Sequence, residues 1–421
     1  MSLRYFIRLI QAFFKRFKAI IFLGTIFGVL VFLFLTLLLP SLTSTKSKIG
    51  VVGRYTVDTL PQDISNKISG GLTKTDDNGN VVPNIAKSWE TTDGGKTWIF
   101  YIDEKAKWQD GKKVVSSEIN YEFSDANIEK PNDETIKFNL DSQFSAFPIV
   151  LTKSLFKKGL LGTGEWKVKD VSIAGGYVQK LTLENNTKDK FLYKFYPSEE
   201  RLILGFKLGE VDIVSRLQDI STFQNWKVIK IDEEIGYDNF VGIFLNTENE
   251  KLSEKAVRQA LNYAIDKDSL TDKEALGTRA LGPISPFSWG YNPQVKPYIL
   301  DSEKTKEAKD IPIKLSVLPN LLKTAEKIAA DWEKAGVKTE IEVVTTVPED
   351  YEAFLATVDI PKDPDQYSLW HSTQASTNIS KYKNARIDKL LEDGRTELDQ
   401  ETRKKIYLDF QRFLVEDVPA I

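Results

Sequence analysis

The sequence offers few side chains of the kinds that perform covalent catalysis or bind metals. Its 421 residues include one histidine, His371, and no cysteine, which excludes a thiolate nucleophile and nearly excludes a zinc site. The patterns HExxH, G-x-S-x-G and G-x-x-x-x-G-K are absent. A pair among the 60 Asp and Glu residues could still act on a glycosidic bond, but spacing in sequence cannot reveal it. We therefore expect no enzyme activity, no bound metal and no cofactor.

A single apolar run near the N-terminus predicts a transmembrane helix. Residues 19–39 (AIIFLGTIFGVLVFLFLTLLL) number 21 and carry no charge. At about 1.5 Å per residue they span roughly 31 Å, which matches the hydrocarbon core of a bilayer. Five basic residues and no acidic residue precede the run, so the positive-inside rule keeps residues 1–18 in the cytoplasm as a tail. The rest of the chain is then extracytoplasmic.

The pattern favours an uncleaved anchor over a cleaved signal peptide. The apolar core of a signal peptide has about 7 to 15 residues and ends at a small-residue site, whereas LLLP stands at residues 37–40. Without cysteine the chain cannot carry the lipid-modified cysteine that tethers many bacterial surface proteins, so the helix must be the tether. Residues 5–17 mix aromatic and basic side chains, and either lie on the inner membrane surface or form a disordered tail.

A short polar linker at residues 40–48 leads into about 380 residues of globular composition. Without the tail the chain has 52 Lys and Arg residues against 60 Asp and Glu residues, a net charge of −8. This acidic balance does not favour a nucleic-acid partner. Because one hydrophobic core rarely serves more than about 250–300 residues, we expect two or more lobes.

Turn signals and alternation predict a β-rich region between residues 74 and 140. DDNGN at residues 76–80 and DGGK at residues 93–96 are hairpin-type turns. Trp98, Phe100 and Ile102 alternate with largely apolar neighbours, so this strand has two apolar faces and lies inside a packed sheet. Further strands are predicted at residues 136–140 and 177–184.

After about residue 240 helices alternate with strands. Ser253 is the predicted N-cap of a helix that runs to residue 265. A strand at residues 313–317, a helix at residues 322–335 ended by Gly336, and a strand at residues 337–344 form a βαβ unit with a parallel strand pair. Two more helices are predicted at residues 387–394 and 401–416. The second half is therefore an α/β lobe.

Several short segments follow one another in a recognisable order. They are GLTKTDDNGNVVPNIAKSWETTDGGKTWIFYI at residues 71–102, WQDGKKVVSSEINYEF at residues 108–123, LLGTGEWKV at residues 160–168, GEVDI at residues 209–213, FLNTENEKLSEKAVRQALNYAIDKDSL at residues 244–270, and DPDQY at residues 363–367. In this order the chain resembles the extracellular solute-binding proteins of the oligopeptide and dipeptide type, which serve ABC importers. The resemblance covers most of residues 69–420.

The resemblance implies an α/β fold with two lobes, the type II periplasmic-binding-protein-like fold of the large class with an accessory subdomain. Lobe one is expected at residues 49–240, with the accessory subdomain at about residues 69–155, and lobe two at residues 241–421. Family members continue past the position of VPAI with a strand that returns to lobe one. We therefore expect the C-terminus of this chain to be truncated.

The resemblance also implies which segments line the ligand. One is residues 51–56, where Arg54 either pairs with a ligand carboxylate or remains a surface arginine, and where Tyr55 is a further contact. A second is the loop GPISPFSWGYNP, in which Trp289 and Tyr291 either contact the ligand or pack internally. Aromatic walls with one or two charges suit a peptide receptor.

The third implied segment is residues 356–372, which contains Asp359, Trp370 and His371. In peptide-binding members it supplies an aspartate for the amino terminus of the ligand, three residues before the DPD element. Ile360 holds that place here, whereas Asp359 stands one residue earlier. His371 is either a hydrogen-bonded wall residue or a ligand contact.

Other polar residues of the matching segments are interpreted as structural. Asp363, Asp365 and Asn378 are predicted to form turns and caps. Arg258 is also interpreted as structural, within reach of Glu254, which stands four residues earlier on the same helix.

The implied function is that of a membrane-anchored substrate-binding component of an ABC importer. It would capture oligopeptides or a related small solute between two lobes as a monomeric ectodomain and deliver them to a permease. The alternative is an extracytoplasmic sensor or adhesion module with the same fold and no transporter, because fold alone does not determine function.

Overall fold

The computed structural model describes residues 3–34, 46–217, 220, 222–223, 225–274 and 277–421, with side chains from residue 13 onwards except at residues 272–274. The strands are β1 Lys46–Val52, β2 Thr73–Thr75, β3 Val81–Pro83, β4 Ala86–Thr91, β5 Thr97–Ile102, β6 Ala126–Asn132, β7 Thr135–Leu140, β8 Lys167–Ala174, β9 Tyr177–Glu184, β10 Lys190–Tyr196, β11 Ile213–Ser215, β12 Asn239–Leu245, β13 Ile313–Val317, β14 Thr339–Val343 and β15 Ala353–Asp359. The helices are α1 Leu3–Leu33, α2 Gln62–Ile68, α3 Phe147–Val150, α4 Glu199–Lys207, α5 Lys255–Tyr263, α6 Lys267–Glu274, α7 Leu322–Lys334, α8 Tyr367–Trp370, α9 Ala385–Thr396 and α10 Gln400–Asp417.

By length and composition, α1 is able to cross a bilayer. Its segment Phe13–Leu33 reaches a mean hydropathy of 2.0 and is not buried against the rest of the protein. The helix is kinked at Phe17, where φ is −108° and ψ is 16°. Residues 3–18, which are predicted as a tail, are therefore helical. Residues 35–39 of the predicted transmembrane span lie outside the described residues.

The first of two compact units combines residues 1–70, 107–113 and 154–227. Its five-stranded sheet has the order β11-β1-β10-β9-β8. β1 runs parallel to β10 and β11, and β9 is antiparallel to β10 and β8. β1 begins at Lys46, opposite Lys190, so residues 46–48 of the predicted linker are already part of the sheet.

An apolar cluster packs α2 against this sheet. It includes Ile64 and Ile68 of α2, Leu181 and Leu183 of β9, and Phe195 of β10, all buried. Complete burial of such a side chain contributes about 1.5–3 kcal/mol. The cluster therefore fixes the parallel strands β1 and β10, whose carboxyl ends lead into the residues after Val52 and Tyr196.

The second unit combines residues 71–106, 114–153 and 228–421. We call residues 71–106 and 114–153 the accessory subdomain. It contains the hairpin β2–β3 and an antiparallel sheet of order β4-β5-β7-β6. Trp98, Phe100 and Ile102 are buried on one face of β5, and the other face is half-buried. The predicted central strand is thus confirmed.

The accessory subdomain belongs to the same compact unit as residues 228–421, whereas the sequence resemblance places it in lobe one. Polar contacts account for this grouping. The Ser145 N–H donates to the Arg395 carbonyl at 2.8 Å, and the Ser145 hydroxyl donates to the Gly394 carbonyl at 3.3 Å. The Gln400 amide also donates to Asn80 at 2.8 Å. The subdomain is therefore held at the junction between α9 and α10.

The remainder of the second unit contains a four-stranded sheet of order β12-β15-β13-β14. β13 runs parallel to β14 and β15, and β12 is antiparallel to β15. Since α7 connects β13 to β14, the predicted βαβ unit is confirmed. Gly336 follows α7 with a φ of +86°, and the Val337 N–H donates to the Trp332 carbonyl at 2.8 Å. These features form a Schellman-type C-cap.

The predicted N-cap of α5 is wrong. The N-cap is Glu254, and its side chain makes no capping hydrogen bond. The Ser253 hydroxyl instead donates to the Glu250 carbonyl at 3.0 Å, because residues 250–252 form a 3₁₀ turn that is capped by Asn249. The helix therefore begins at Lys255 and ends at Tyr263, two residues before the predicted end.

Arg258 has the predicted structural role, although no ion pair with Glu254 is found among the described residues. Its guanidinium is buried and donates at 2.7–3.1 Å to four backbone carbonyls, those of Leu252, Ser253, Asp417 and Val418. Carbonyls at the end of a helix have no hydrogen-bond partner within the helix. Arg258 supplies the hydrogen-bond donors for those at the end of α10. Burial lowers the pKa of this guanidinium.

The residues that follow α10 return to the edge of the sheet. Ile421 and Ile243 exchange both backbone hydrogen bonds, at 2.8 and 2.9 Å. The Leu245 N–H donates to the Pro419 carbonyl at 2.9 Å, and Phe244 faces Ala420 in an antiparallel bridge. Residues 419–421 thus cover the edge of β12 that β15 leaves free.

Candidate functional site

The predicted ligand-facing residues are divided between the two units. Arg54 and Tyr55 lie in the first unit, and Trp289, Tyr291, Asp359, Trp370 and His371 lie in the second. Within the second unit, Trp289, Tyr291 and Trp370 belong to one apolar cluster with Tyr407 and Phe410 of α10. Asp359 is not part of that cluster.

Arg54 follows the carboxyl end of β1 and is exposed. It lines a cavity of about 220 Å³ together with Tyr177, Phe195 and Pro197. Its guanidinium lies 6.0 Å from the centre of the Tyr177 ring. Among the described residues it forms no ion pair, so the charge is available to a carboxylate.

Tyr55 serves the turn after β1. Its hydroxyl donates to the Val52 carbonyl at 3.0 Å, and its ring packs on Phe195 with centroids 5.5 Å apart. The ring covers Gly53, where φ is +127° and a Cβ atom would lie 2.6 Å from the ring. Only glycine therefore fits beneath Tyr55, and this tyrosine fixes the backbone that presents Arg54.

The loop that carries Trp289 and Tyr291 is fastened to α10. The Gln411 amide donates to the Gly290 carbonyl at 2.7 Å and accepts from the Asn292 N–H at 3.1 Å. Gly290 lies against Pro364, which would be 2.7 Å from a Cβ atom. Both aromatic residues are half-buried, and burial raises the pKa of Tyr291.

A buried ion pair lies beneath this loop. Arg403 of α10 donates to both carboxylate oxygens of Asp363, at 2.6 and 3.3 Å, and both side chains are 8% exposed. The guanidinium also lies 5.1 Å from the Trp289 ring. Burial alone would lower the pKa of Arg403, but the charge of Asp363 outweighs it, so this pKa is raised. The pair fixes both predicted segments to α10.

Asp363 and Asp365 form turns, as predicted. Asp363 accepts from the Asp365 N–H at 3.0 Å, and Asp365 accepts from the Tyr367 N–H at 2.9 Å. Asp365 also lies 3.5 Å from Arg395. Burial raises the pKa of Asp365, and the positive charge of Arg395 opposes the shift.

Trp370 and His371 are 2% and 3% exposed. Trp370 stacks on Phe244, with ring centroids 6.1 Å apart. His371 Nδ1 accepts from the Thr373 N–H at 3.2 Å and lies 2.8 Å from the Thr373 hydroxyl, and Nε2 lies 3.4 Å from Glu392. Both ring nitrogens of His371 thus contact protein groups.

Asn378 closes the loop that follows His371. Its amide donates to the Tyr382 carbonyl at 2.8 Å and accepts from the Tyr382 N–H at 3.2 Å. It also donates to the His371 carbonyl at 3.4 Å. The predicted structural role of Asn378 is confirmed.

Asp359 is the last residue of β15 and is exposed. Its partner across the strand pair is Asn239 of β12, and the next residue, Ile360, donates its N–H to the Asp238 carbonyl at 2.7 Å. The backbone of Asp359 is therefore held at a sheet terminus, and the residue itself is exposed.

Residues that position the site escaped prediction because their partners are distant in sequence. Arg403 pairs with a residue 40 positions away, and Gln411 bonds to one 121 positions away. A hydrophobic pattern identifies α10 as a helix, but it does not reveal which polar side chain turns inward. One signal was present: Asp363 and Asp365 stand on either side of one proline, and two carboxylates this close together favour a neighbouring cation.

A metal site is not apparent in the part of the chain that the structure describes. It contains no group of three or more His, Cys, Asp or Glu side chains able to hold an ion.

Comparison with known families gives one extended match. The family described as bacterial extracellular solute-binding proteins, family 5 middle region, matches residues 80–379. The oligopeptide-binding protein AppA of Bacillus subtilis is 25% identical over 87% of this chain and 82% of its own length. The dipeptide-binding protein of Escherichia coli is 24% identical over 81% of this chain and 80% of its own length.

A solved structure shares the fold. NikZ from Campylobacter jejuni, in complex with Ni(L-His), superposes with a TM-score of 0.70 over 89% of this chain and 91% of that chain, at 23% sequence identity. At this level of identity the similarity establishes the fold and not the ligand.

Proposed function

Because the chain belongs to the bacterial extracellular solute-binding proteins of family 5, we propose that it is the membrane-anchored receptor of an ABC importer and that its ligands are peptides. The observation that carries the proposal is the family match over residues 80–379. Relatives named for oligopeptide and dipeptide binding, each aligned over more than four-fifths of this chain, favour peptides over other solutes.

Two exposed side chains, for which no ion pair is found among the described residues, are candidates for binding charged groups of the ligand. Arg54 is exposed beside the aromatic wall formed by Tyr177, and a guanidinium binds carboxylates well. Asp359 is exposed at the end of β15, and a carboxylate suits an ammonium group. We assign Arg54 and Asp359 as separate candidate contacts, Arg54 for a ligand carboxylate and Asp359 for a ligand amine.

The anchor is assigned to α1. Its segment Phe13–Leu33 has the length and hydropathy of a spanning helix, and basic residues precede it. With no cysteine to carry a lipid, an uncleaved helix keeps the receptor beside its permease.

Isothermal titration of the full chain in nanodiscs with mixed di- to pentapeptides tests the ligand class. We expect saturable binding, weakened by N-acetylation and by C-terminal amidation, since each removes one charge. The absence of binding across the whole series would overturn the peptide assignment. Binding of a nickel–histidine chelate in its place would assign the receptor to another solute.

Delivery is tested in the native membrane. Photo-cross-linking from the full chain should capture an integral-membrane permease in the presence of peptide. Capture of a histidine kinase instead would support the sensor alternative and contradict the importer assignment.

A further inference from the structure

Four side chains from three parts of the second unit form a continuous stack. The Arg395 guanidinium lies over two rings, 4.7 Å from Phe144 and 4.4 Å from Tyr367. Tyr367 in turn stacks on His371, with centroids 4.0 Å apart and planes inclined by 19°. The stack therefore runs from the accessory subdomain, through α9, to the segment that contains Asp363 and His371.

Hydrogen bonds hold Arg395 at the centre of this stack. Its carbonyl accepts from the Ser145 N–H at 2.8 Å, and its side chain lies 3.5 Å from the buried carboxylate of Asp365. The Asp365 carboxylate also accepts from the Tyr367 N–H. Arg395 thus contacts the accessory subdomain through its backbone and the segment that contains Asp365 through its side chain. Its planar guanidinium is suited to stacking on aromatic rings.

The far end of the stack is rigidly held. His371 is 3% exposed, and its two ring nitrogens face Thr373 and Glu392. The neighbouring Ser372 bonds to Asp388 through its N–H at 2.9 Å and its hydroxyl at 2.6 Å. A displacement of Tyr367 would therefore be transmitted to a packed histidine rather than absorbed by solvent.

We propose that Arg395 is a positioning residue that couples the accessory subdomain to residues 363–371 of the ligand-facing segment. Phe144 sets the plane of Arg395, Arg395 sets the plane of Tyr367, and Tyr367 sets the position of His371. The consequence for ligand affinity rests on the proposed function, whereas the coupling itself does not.

The only histidine of the chain provides a reporter for this coupling. With ¹³C-labelled histidine, the full chain in detergent gives a single imidazole signal, whose chemical shift depends on the stacked Tyr367 ring. Phe144→Leu alters the accessory subdomain, and its site is separated from His371 by two members of the stack. We expect it to shift the His371 resonance, as we also expect for Arg395→Leu and Arg395→Lys.

Two variants serve as controls. Phe144→Tyr keeps the aromatic face and should retain the wild-type His371 resonance. Arg386→Leu removes another arginine of α9, one that lies 4.4 Å from the Phe413 ring and outside the stack, and should leave the resonance unchanged. An unchanged resonance in folded Phe144→Leu would overturn the proposal, as would an equal shift in Arg386→Leu.

Peptide titration separates this proposal from the proposed function. Arg395→Leu should weaken peptide binding by about two- to thirty-fold, the usual range for coupling through packed side chains, and Phe144→Leu should do so to a smaller extent. Unaltered affinity in both variants would overturn the assigned effect on binding. If no peptide binds the wild-type chain, the proposed function fails, and the resonance of His371 still decides the coupling.

Discussion

Asp363 and Arg403 form an ion pair that is almost completely removed from water. Both carboxylate oxygens accept from the guanidinium, which also donates to the Gly394 carbonyl at 3.0 Å. Removing one partner of such a pair leaves the other charge buried and uncompensated, which costs more than the pair itself contributes.

Arg403→Met should therefore reduce the free energy of unfolding of the second unit by about 3–5 kcal/mol. Urea denaturation followed by tryptophan fluorescence measures this change. Arg412→Met is the matched control on the same helix, because Arg412 pairs with Asp409 at 2.8 Å while both side chains are more than half exposed. The control should cost no more than about 1 kcal/mol. Equal losses in the two variants would contradict the assigned role of burial.

At Asp359, replacement by asparagine tests the amino-terminal contact. We expect Asp359→Asn to weaken binding of unmodified peptides by about ten-fold, which corresponds to about 1.4 kcal/mol. N-acetylated peptides should bind the variant and the wild type equally well. If isothermal titration shows the same loss for both kinds of peptide, Asp359 does not bind the ligand amine.

Lys267 should make stability depend on pH in the neutral to alkaline range. Its ammonium donates to the carbonyls of Asn262 and Tyr298 at 2.5 and 3.1 Å, and burial, together with the charge of Arg279, lowers its pKa to about 7. Between that value and about 10.5, its usual pKa, the unfolded chain binds more protons than the folded chain. Stability therefore rises with pH through this window, by at most about 1.4 kcal/mol per unit.

Denaturation midpoints measured from pH 7 to pH 9.5 test this prediction. Lys267→Met should remove the rise, whereas Lys323→Met, an exposed lysine of α7, should retain it. A wild-type slope in Lys267→Met would assign the pH dependence to other groups.

At the scale of elements, strongly periodic segments were predicted well. In residues 313–344 the apolar residues first alternate with others, then recur with helical spacing, and then alternate again. The structure shows β13, α7 and β14 there. The strand Tyr177–Glu184 has the predicted bounds. Here the local hydrophobic pattern agrees with the packing, so the sequence suffices to predict the secondary structure.

Other elements depend on distant contacts and could not be predicted. β8 is exposed along most of its length and is a strand because β9 pairs with it. β15 begins with four buried apolar residues, 353–356, that show no alternation, and its pairing with β12 and β13 defines it. The accessory subdomain illustrates the same limit, since its grouping depends on hydrogen bonds between Ser145 and residues some 250 positions away.

The end of α7 provides a prediction at this scale. Gly336 has a φ of +86°, and a Cβ atom there would lie 3.1 Å from the Lys309 side chain. Gly336→Ala should cost about 1 kcal/mol of unfolding free energy, because alanine is strained at positive φ. Gly336→Asn should cost less, since asparagine tolerates this conformation. Urea denaturation distinguishes them, and a smaller loss for alanine than for asparagine would contradict the backbone argument.

For the whole molecule, the family assignment and the apolar helix together predict one orientation. If α1 is an uncleaved anchor with a cytoplasmic N-terminus, everything from β1 onwards lies outside the cytoplasm. The chain has no native cysteine, so single introduced cysteines report topology without background.

In intact cells, a membrane-impermeant maleimide should label Lys105→Cys and leave Ser2→Cys unlabelled until the membrane is permeabilised. Mass spectrometry of the membrane-bound chain should recover peptides from residues 1–18. Recovery of a chain that begins near residue 41 would establish cleavage, and labelling of Ser2→Cys in intact cells would reverse the orientation.

The pairing of β12 with residues 419–421 has a consequence for biosynthesis. Translation proceeds at about 5–20 residues per second, so roughly 10–35 s separate the appearance of Leu245 from that of the residues that cover its strand. During that interval the nascent chain presents an unpaired strand edge of the kind that recruits other strands. A chaperone that binds extended apolar segments would be needed most while these residues are still being synthesised.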